Sequence, residues 1–99
     1  MSYLQADKTY EYWYEVLLDP NVGDKEYPGL LAKAYSKLHG QPNSDLAKTN
    51  IKAIYDDFYH DPYFLLTILN QTKDLNFKTE NDRLDYIKAF ATKKMGRGQ

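Results

Sequence analysis

Four prolines divide this chain into segments whose apolar residues recur with the period of an α-helix, and that pattern constrains the fold most strongly. Asp19-Pro20 predicts the end of a first helix, because a residue that precedes proline disfavours the helical conformation. Pro28 suits the first turn of a second helix, which Gly40 and Pro42 end. Asp61-Pro62 works in the opposite sense, with aspartate as the N-cap and proline as the first helical residue.

Residues 9–20 fit both regular periodicities. As a strand, the segment would place on one face Tyr10, Tyr12, Tyr14 and Val16. As a helix, it has a wider apolar face made of Tyr10, Trp13, Tyr14, Val16, Leu17 and Leu18. The carboxylates on the opposite side are those of Glu11, Glu15 and Asp19. The helix accounts for more residues, and Asp7 is in position to cap it, so we predict a helix that leaves Tyr12 off the core face.

Three later segments carry a helical apolar stripe of the same kind. The second helix is predicted to bury Leu30, Leu31, Ala34, Tyr35 and Leu38. The third, capped by Asn43 or Ser44, is predicted to bury Ala47, Asn50, Ile51, Ile54, Tyr55 and Phe58. The last begins at the capping-box-like sequence Thr79–Asp82 and is predicted to bury Leu84, Ile87, Phe90, Ala91 and Met95.

Apolar side chains surround the fourth segment almost completely, which is typical of a central helix. We expect the most buried block of the protein to be Phe64, Leu65, Ile68 and Leu69. The loop Lys73–Lys78 follows, with two apolar anchors. The predicted fold is all-α, a compact bundle of about five short helices packed around the fourth. It forms a single domain over residues 1–99, with flexible ends at 1–6 and 96–99.

The absence of cysteine excludes disulfides and thiolate metal sites, and it suits a reducing compartment. No apolar run approaches the ~18 residues that a membrane span needs. The first seven residues lack the basic start and apolar stretch of a signal peptide. We therefore predict a cytoplasmic protein.

Few residues suggest catalysis or metal binding. His60 follows Asp56 and Asp57 at spacings that place all three on one helical face, which permits a mixed oxygen–nitrogen metal site. Because no further helical ligand set accompanies them, we predict no metal and no other cofactor. His60 and His39 are instead interpreted as histidines near the last carbonyls of a helix. The sequence has no P-loop, dinucleotide glycine motif or nucleophile elbow, so we predict that the protein is not an enzyme.

Charge is distributed unevenly along the chain, although the net charge is only −1. Residues 1–30 carry six acids and two lysines, whereas residues 73–99 carry seven basic residues and four acids. The candidate phosphate contacts in this basic end are Lys88, Lys93, Lys94 and Arg97. Cations in the last turn also stabilise a helix by facing its negative end, and we favour that interpretation over nucleic-acid binding.

The ten tyrosines exceed what the predicted core faces require. Those that fall off these faces are Tyr3, Tyr12, Tyr59 and Tyr86. They either pack partly exposed against neighbouring loops or contact a partner protein, for which tyrosine is a favoured residue. We predict a protein-contact surface made of Glu11, Tyr12, Glu15 and Asp19, with Tyr59 and Tyr86 as further contacts. Its carboxylates fit a basic partner protein.

The order Tyr14–Pro20 followed by Leu30–Leu38 resembles the immunity proteins of class II bacteriocins. The resemblance covers about the first 40 residues and rests on a helical-pair pattern. It implies a cytoplasmic antiparallel helical bundle without catalysis, which protects a producing cell by acting on the bacteriocin-bound membrane receptor. The Asp61-Pro62 break departs from the family by adding a helix to its four-helix plan.

Two other classes remain open. One is a phage or mobile-element inhibitor of a host nucleic-acid-handling machine, of the anti-CRISPR type, which would use the acidic and tyrosine-rich face. The other is a DNA-binding helical domain that uses the basic C-terminal end, whose affinity would fall steeply as salt rises.

Overall fold

A computed structural model describes residues 6–57 and 61–94 of the chain. The main elements of these residues are five α-helices and a short 3-10 helix, Asp24–Glu26, and a 3-10 turn over residues 6–8 precedes the first α-helix. The α-helices are α1 (Tyr10–Leu18), α2 (Tyr27–His39), α3 (Asp45–Asp57), α4 (Pro62–Thr72) and α5 (Glu80–Lys94). The described part of the chain contains no strand, so the predicted all-α bundle is confirmed.

Helix α4 is the centre of the bundle, because it contacts each of the other four helices. Leu65, Leu66 and Leu69 are fully buried on it, and Ile68 is 1% exposed. The prediction that Phe64 belongs to this block is wrong. Phe64 is only half-buried, since it lies in the first turn beside the exposed cap residue Asp61.

Local capping signals place most helix ends. The Asp61 carboxylate accepts the Phe64 N–H at 3.0 Å, and Pro62 opens α4 as predicted. Ser44, rather than Asn43, caps α3, since its hydroxyl accepts the Ala47 N–H at 3.1 Å. Gly40 ends α2 with a φ of 65°, in the left-handed region that a residue without a Cβ adopts readily.

The predicted N-cap of α1 is wrong. Thr9, not Asp7, caps the helix by accepting the Tyr12 N–H at 3.2 Å. Asp7 lies in a 3-10 turn over residues 6–8, where its backbone oxygen accepts the Trp13 indole N–H. Its carboxylate pairs with Lys37 of α2 at 3.1 Å. Asp7 therefore ties the segment before α1 to the bundle.

The core face of α1 is narrower than its apolar pattern predicts. Only Trp13 and Leu17 are buried, whereas Tyr14 is 37% exposed and Leu18 is 47% exposed. Each residue turns a helix by about 100°, so Tyr14 and Leu18 lie about 100° and 140° round the axis from Trp13. At those angles Leu18 lies beyond the arc of α1 that α2 and α4 cover, and Tyr14 lies at its edge, where its ring meets Tyr63 of α4.

Several other residues predicted to lie in the core are also more exposed than predicted. Leu30 and Phe90 are half-buried. Leu75, one of the two apolar residues predicted to anchor the loop Lys73–Lys78, is 43% exposed. Asn50 is half-buried rather than a buried core residue, and its amide donates to the Leu46 carbonyl of its own helix at 2.8 Å. Phe58 and Met95 lie outside the described residues. So do the predicted flexible ends, except Ala6, which begins the 3-10 turn.

Candidate functional site

One face of α1 combines exposed apolar side chains with carboxylates, and we call it the α1 outer surface. It consists of Glu11, Tyr12, Tyr14, Glu15 and Leu18. Tyr12 is 40% exposed, in addition to the exposed Tyr14 and Leu18. By helical geometry, the two glutamates lie along the middle of this face, with Tyr14 and Leu18 on one edge and Tyr12 on the other.

The rings of the α1 outer surface are held in place by their neighbours. Tyr14 lies with its ring centroid 5.8 Å from that of Tyr10 and 5.7 Å from that of Tyr63. The Tyr63 hydroxyl in turn donates to the Leu17 carbonyl at 3.3 Å. Tyr12 meets the Trp13 ring edge-on at 5.0 Å. These contacts fix the rings before any partner arrives, which reduces the entropy lost on binding.

The carboxylates of this surface differ in their roles. Within the described residues, Glu11 and Glu15 form no ion pair, and both are exposed. Asp19 is also exposed, but it ends α1, and its carboxylate accepts the Asn21 N–H at 2.9 Å. Glu11 and Glu15 are therefore free to meet a cation, while Asp19 has a structural part in the turn.

Tyr12 is not surrounded by carboxylates alone, which corrects the predicted arrangement. It borders a groove of about 370 Å³ between α1 and α2, whose lining includes Lys33 and Lys37. Lys37 is already paired with Asp7. The groove therefore adds a basic rim on one side of Tyr12 that the sequence of α1 alone does not contain.

A second surface lies on α5 and brings together residues that the sequence suggested for two different roles. Tyr86, 42% exposed, stands between Phe77 and Phe90, with ring centroids 5.4 and 6.0 Å away. A groove of about 580 Å³ runs beside it, lined by Tyr86, Ala89, Phe90, Lys93 and Lys94. We call it the α5 groove. Lys94 Nζ lies 5.5 Å from the centre of the Phe90 ring, within range of a cation–π interaction.

The remaining candidate contacts are not part of these surfaces. Lys88 is two residues from both Tyr86 and Phe90, so it projects about 200° round the helix from either. It therefore does not line the α5 groove with Lys93 and Lys94. Tyr59 and Arg97 lie outside the described residues, so their predicted contacts stay predictions.

A third groove, of about 540 Å³, lies between the start of α2 and α3. Its lining is Asp24, Lys25, Pro28, Lys52, Tyr55 and Asp56. Lys52 Nζ is 2.9 Å from an Asp56 carboxylate oxygen. Because lysines and carboxylates balance here, this groove has little net field to attract a ligand of either charge.

A polar cluster that sequence reasoning missed joins the ends of four helices. The Tyr35 hydroxyl, on a fully buried side chain, donates to Glu80 at 3.1 Å, and Ser44 donates to the other Glu80 oxygen at 3.3 Å. Burial is the main cause that raises the pKa of Tyr35 to about 12, with Glu80 adding to the rise and Arg83 opposing it. The hydroxyl therefore remains protonated and keeps its donor role.

His39, predicted to lie near the last carbonyls of a helix, is the last residue of α2 and belongs to the same region. Its Nε2–H donates to the Leu69 carbonyl at 3.0 Å, and Thr72 Oγ1 is 3.2 Å away. Burial lowers the pKa of His39 to about 4, which the bond to Leu69 opposes. A neutral imidazole has no charge to interact with the helix dipole. His39 instead links α2 to α4.

The one available sequence signal for this cluster was Tyr35, since a buried tyrosine hydroxyl usually finds a partner. Its partner is 45 positions away along the chain, so only the tertiary fold identifies it. Tyr35 lines none of the three grooves described above. The cluster is accordingly placed to hold helices together rather than to meet a substrate.

The described residues contain no group of three or more histidine, aspartate and glutamate side chains placed to hold a metal ion. Within the same ranges, every helix is too short or too polar to cross a membrane. No protein-family model, curated protein or solved structure matches the chain.

Proposed function

We propose that this chain is a non-enzymatic helical module that binds a protein target and neutralises or inhibits it. The contact is the α1 outer surface. The observation that carries this proposal is the exposure of Tyr12, Tyr14 and Leu18 (40%, 37% and 47%) around two carboxylates that have no cationic partner in the described residues. Such a combination has no role in the core of the bundle.

The chemistry of this surface defines the target. Exposed apolar side chains that lie together favour a protein contact, and fixed tyrosines provide large contact area at low entropic cost. Glu11 and Glu15 would meet arginine or lysine and raise the rate of encounter with a basic partner. We infer a target surface with an apolar pocket bordered by cations.

Two target classes fit that surface. In the first, the protein acts as a bacteriocin-immunity-like module in the cytoplasm, a reducing compartment that its cysteine-free sequence suits. In the second, it is a phage or mobile-element inhibitor of a host nucleic-acid-handling machine, since such machines carry the basic surfaces that two free glutamates would recognise. Both proposals use the α1 outer surface and differ in the identity of the target.

DNA binding through the basic end is the weakest of the three candidate functions. Among the described residues, the cations that line the α5 groove are Lys93 and Lys94, and Lys88 projects elsewhere. Two cations neutralise few phosphates, and the electrostatic part of DNA affinity grows with the number of phosphates that a protein neutralises. We therefore keep α5 apart from the proposed function.

The experiment is capture of binding proteins from a Gram-positive lysate with wild-type chain and with Leu18→Ala/Glu15→Lys. The matched control is Leu75→Ala/Asp74→Lys, which changes another exposed leucine and a neighbouring acid in the loop between α4 and α5. We expect one target to be retained by the wild type and the control and to be lost by the α1 variant. Equal retention by all three would contradict the proposed surface, and the bound protein's identity decides between the two target classes.

A further inference from the structure

The α1 outer surface and the α5 groove are opposite in charge and alike in their apolar content. The first presents Glu11 and Glu15 among exposed tyrosine and leucine. The second presents Lys93 and Lys94 beside Tyr86 and a half-buried phenylalanine. In the described residues none of these four charged side chains has an ion-pair partner. Each surface therefore has the chemistry that the other would recognise.

These two surfaces cannot satisfy each other within one molecule. Helices α1 and α5 each pack against α4, and in the described residues they make no contact with each other. The aromatic rings on both surfaces already pack against neighbours. Tyr14 of α1 packs against Tyr10 and Tyr63, and Tyr86 of α5 packs against Phe77. Any direct meeting of the surfaces must occur between two copies of the chain.

We propose that copies of this chain associate head to tail, with the α1 outer surface of one copy seated on the α5 groove of the next. This inference rests on the proposed function in that it assigns the same α1 surface a binding role. Glu11 and Glu15 would pair with Lys93 and Lys94. Leu18 and Tyr14 would enter the groove beside Tyr86.

The contact would be weak and reversible. A single helix face against a shallow groove is smaller than the ~1,200–2,000 Å² that stable interfaces bury. Its ion pairs lie at the surface, where salt screens them over about 10 Å at 0.1 M ionic strength. Because the contact joins two different patches, each copy can bind a further copy. An open filament therefore forms unless the copies close into a ring.

Self-association of this kind regulates target binding. It covers the α1 outer surface, so a target must displace the neighbouring copy. At high concentration, self-association would thus compete with target binding. Dilution, or a target with higher affinity, would release the α1 outer surface.

The test is analytical ultracentrifugation of the full chain over a wide concentration range at low and high salt. We expect reversible association that weakens as salt rises. Glu11→Lys/Glu15→Lys and Lys93→Glu/Lys94→Glu should each weaken it by about tenfold or more, since each places like charges across the contact. Circular dichroism confirms that each variant is folded. Because acids in a last turn weaken a helix, Lys93→Gln/Lys94→Gln is measured as a milder variant and should also weaken association.

Mixing the two reversal variants gives the decisive result. The first has lysines on both surfaces and the second has glutamates on both, so each should be monomeric alone while an equimolar mixture associates. A monomeric wild type at all concentrations, or a mixture that stays monomeric, would overturn the proposal. Association that survives both reversals would do the same, because the contact would then lie elsewhere.

The same variants separate this inference from the proposed function. Lys93→Glu/Lys94→Glu leaves the α1 outer surface intact, so it should still capture the target. If target capture holds while self-association is absent, only the head-to-tail contact is lost. If Leu18→Ala/Glu15→Lys captures the target as well as the wild type does, the proposed function fails independently.

Discussion

Helices α4 and α1 are both rich in apolar residues, yet the bundle uses them differently. Six of the eleven residues of α4 are buried, whereas two of the nine residues of α1 are buried. Helix α4 contacts all four of the other α-helices, whereas α1 contacts α2 and α4. The difference teaches that an apolar residue in a small bundle is a core residue only if another helix covers it. The apolar residues of α1 exceed what the core takes up, and the excess is available for binding.

The largest expected effect comes from truncating the centre. Leu69→Ala removes a fully buried side chain of α4, and it should lower the free energy of unfolding by about 2–5 kcal/mol. Leu18→Ala makes the same chemical change on α1, where the side chain is 47% exposed, and should cost about 0.5 kcal/mol. Urea denaturation of both variants measures the contrast. Equal losses would show that α1 is as much a part of the core as α4.

A smaller loss is expected where α5 is tied to α2. Tyr35→Phe removes the buried hydroxyl that donates to Glu80, and hydrogen bonds to charged groups contribute about 1.5–3 kcal/mol. Tyr86→Phe is the matched control, because it makes the same chemical change on a side chain that is 42% exposed. Thermal unfolding should separate the two. An unchanged midpoint for Tyr35→Phe would mean that the polar cluster does not hold α5.

The pH dependence of stability tests the same junction. Unfolded His39 takes up a proton near pH 6.5, but the folded protein holds its pKa at about 4, so the unfolded state binds more protons between these values. Stability should therefore be complete above pH 6.5 and fall as the pH is lowered towards 4. Arg83 and Asp74 act on this histidine with opposite signs, Arg83 favouring the neutral form.

Urea denaturation at pH 7 and pH 5.5 measures this effect before most carboxylates titrate. His39→Gln should reduce the difference in the free energy of unfolding between the two pH values. The comparison is His60→Gln, which changes the chain's other histidine. If His39→Gln leaves the pH dependence of stability unchanged, another group causes that dependence.

Sequence predicted the features that depend on near neighbours. Asp61, Pro62 and Gly40 act through bonds or torsions within a few residues, so their helix ends were found from local pattern. Leu18 was misassigned because its spacing from Trp13 defines an apolar arc, while the covered part of that arc depends on where α2 and α4 lie. Tyr35 and Glu80 meet only through the tertiary fold.

The two proposed contact surfaces follow the same division. Glu11, Tyr12 and Glu15 were found because helical spacing places them together on one exposed face. Tyr86, Lys93 and Lys94 are also spaced to share a face, seven and eight residues apart, so that signal was present in the sequence. Sequence reasoning separates these residues, because tyrosine favours protein contacts and lysine favours phosphate contacts.

The most direct test of the role of α1 is the affinity of the purified target for Tyr12→Ala/Glu15→Lys, measured by isothermal titration with stability recorded in parallel. We expect the free energy of unfolding to change by less than about 1 kcal/mol, because both residues are exposed. Affinity should fall by about tenfold or more, since the variant loses an aromatic contact and reverses a charge at the interface. Unchanged affinity with intact stability would contradict the central claim that the excess apolar residues of α1 form the binding surface.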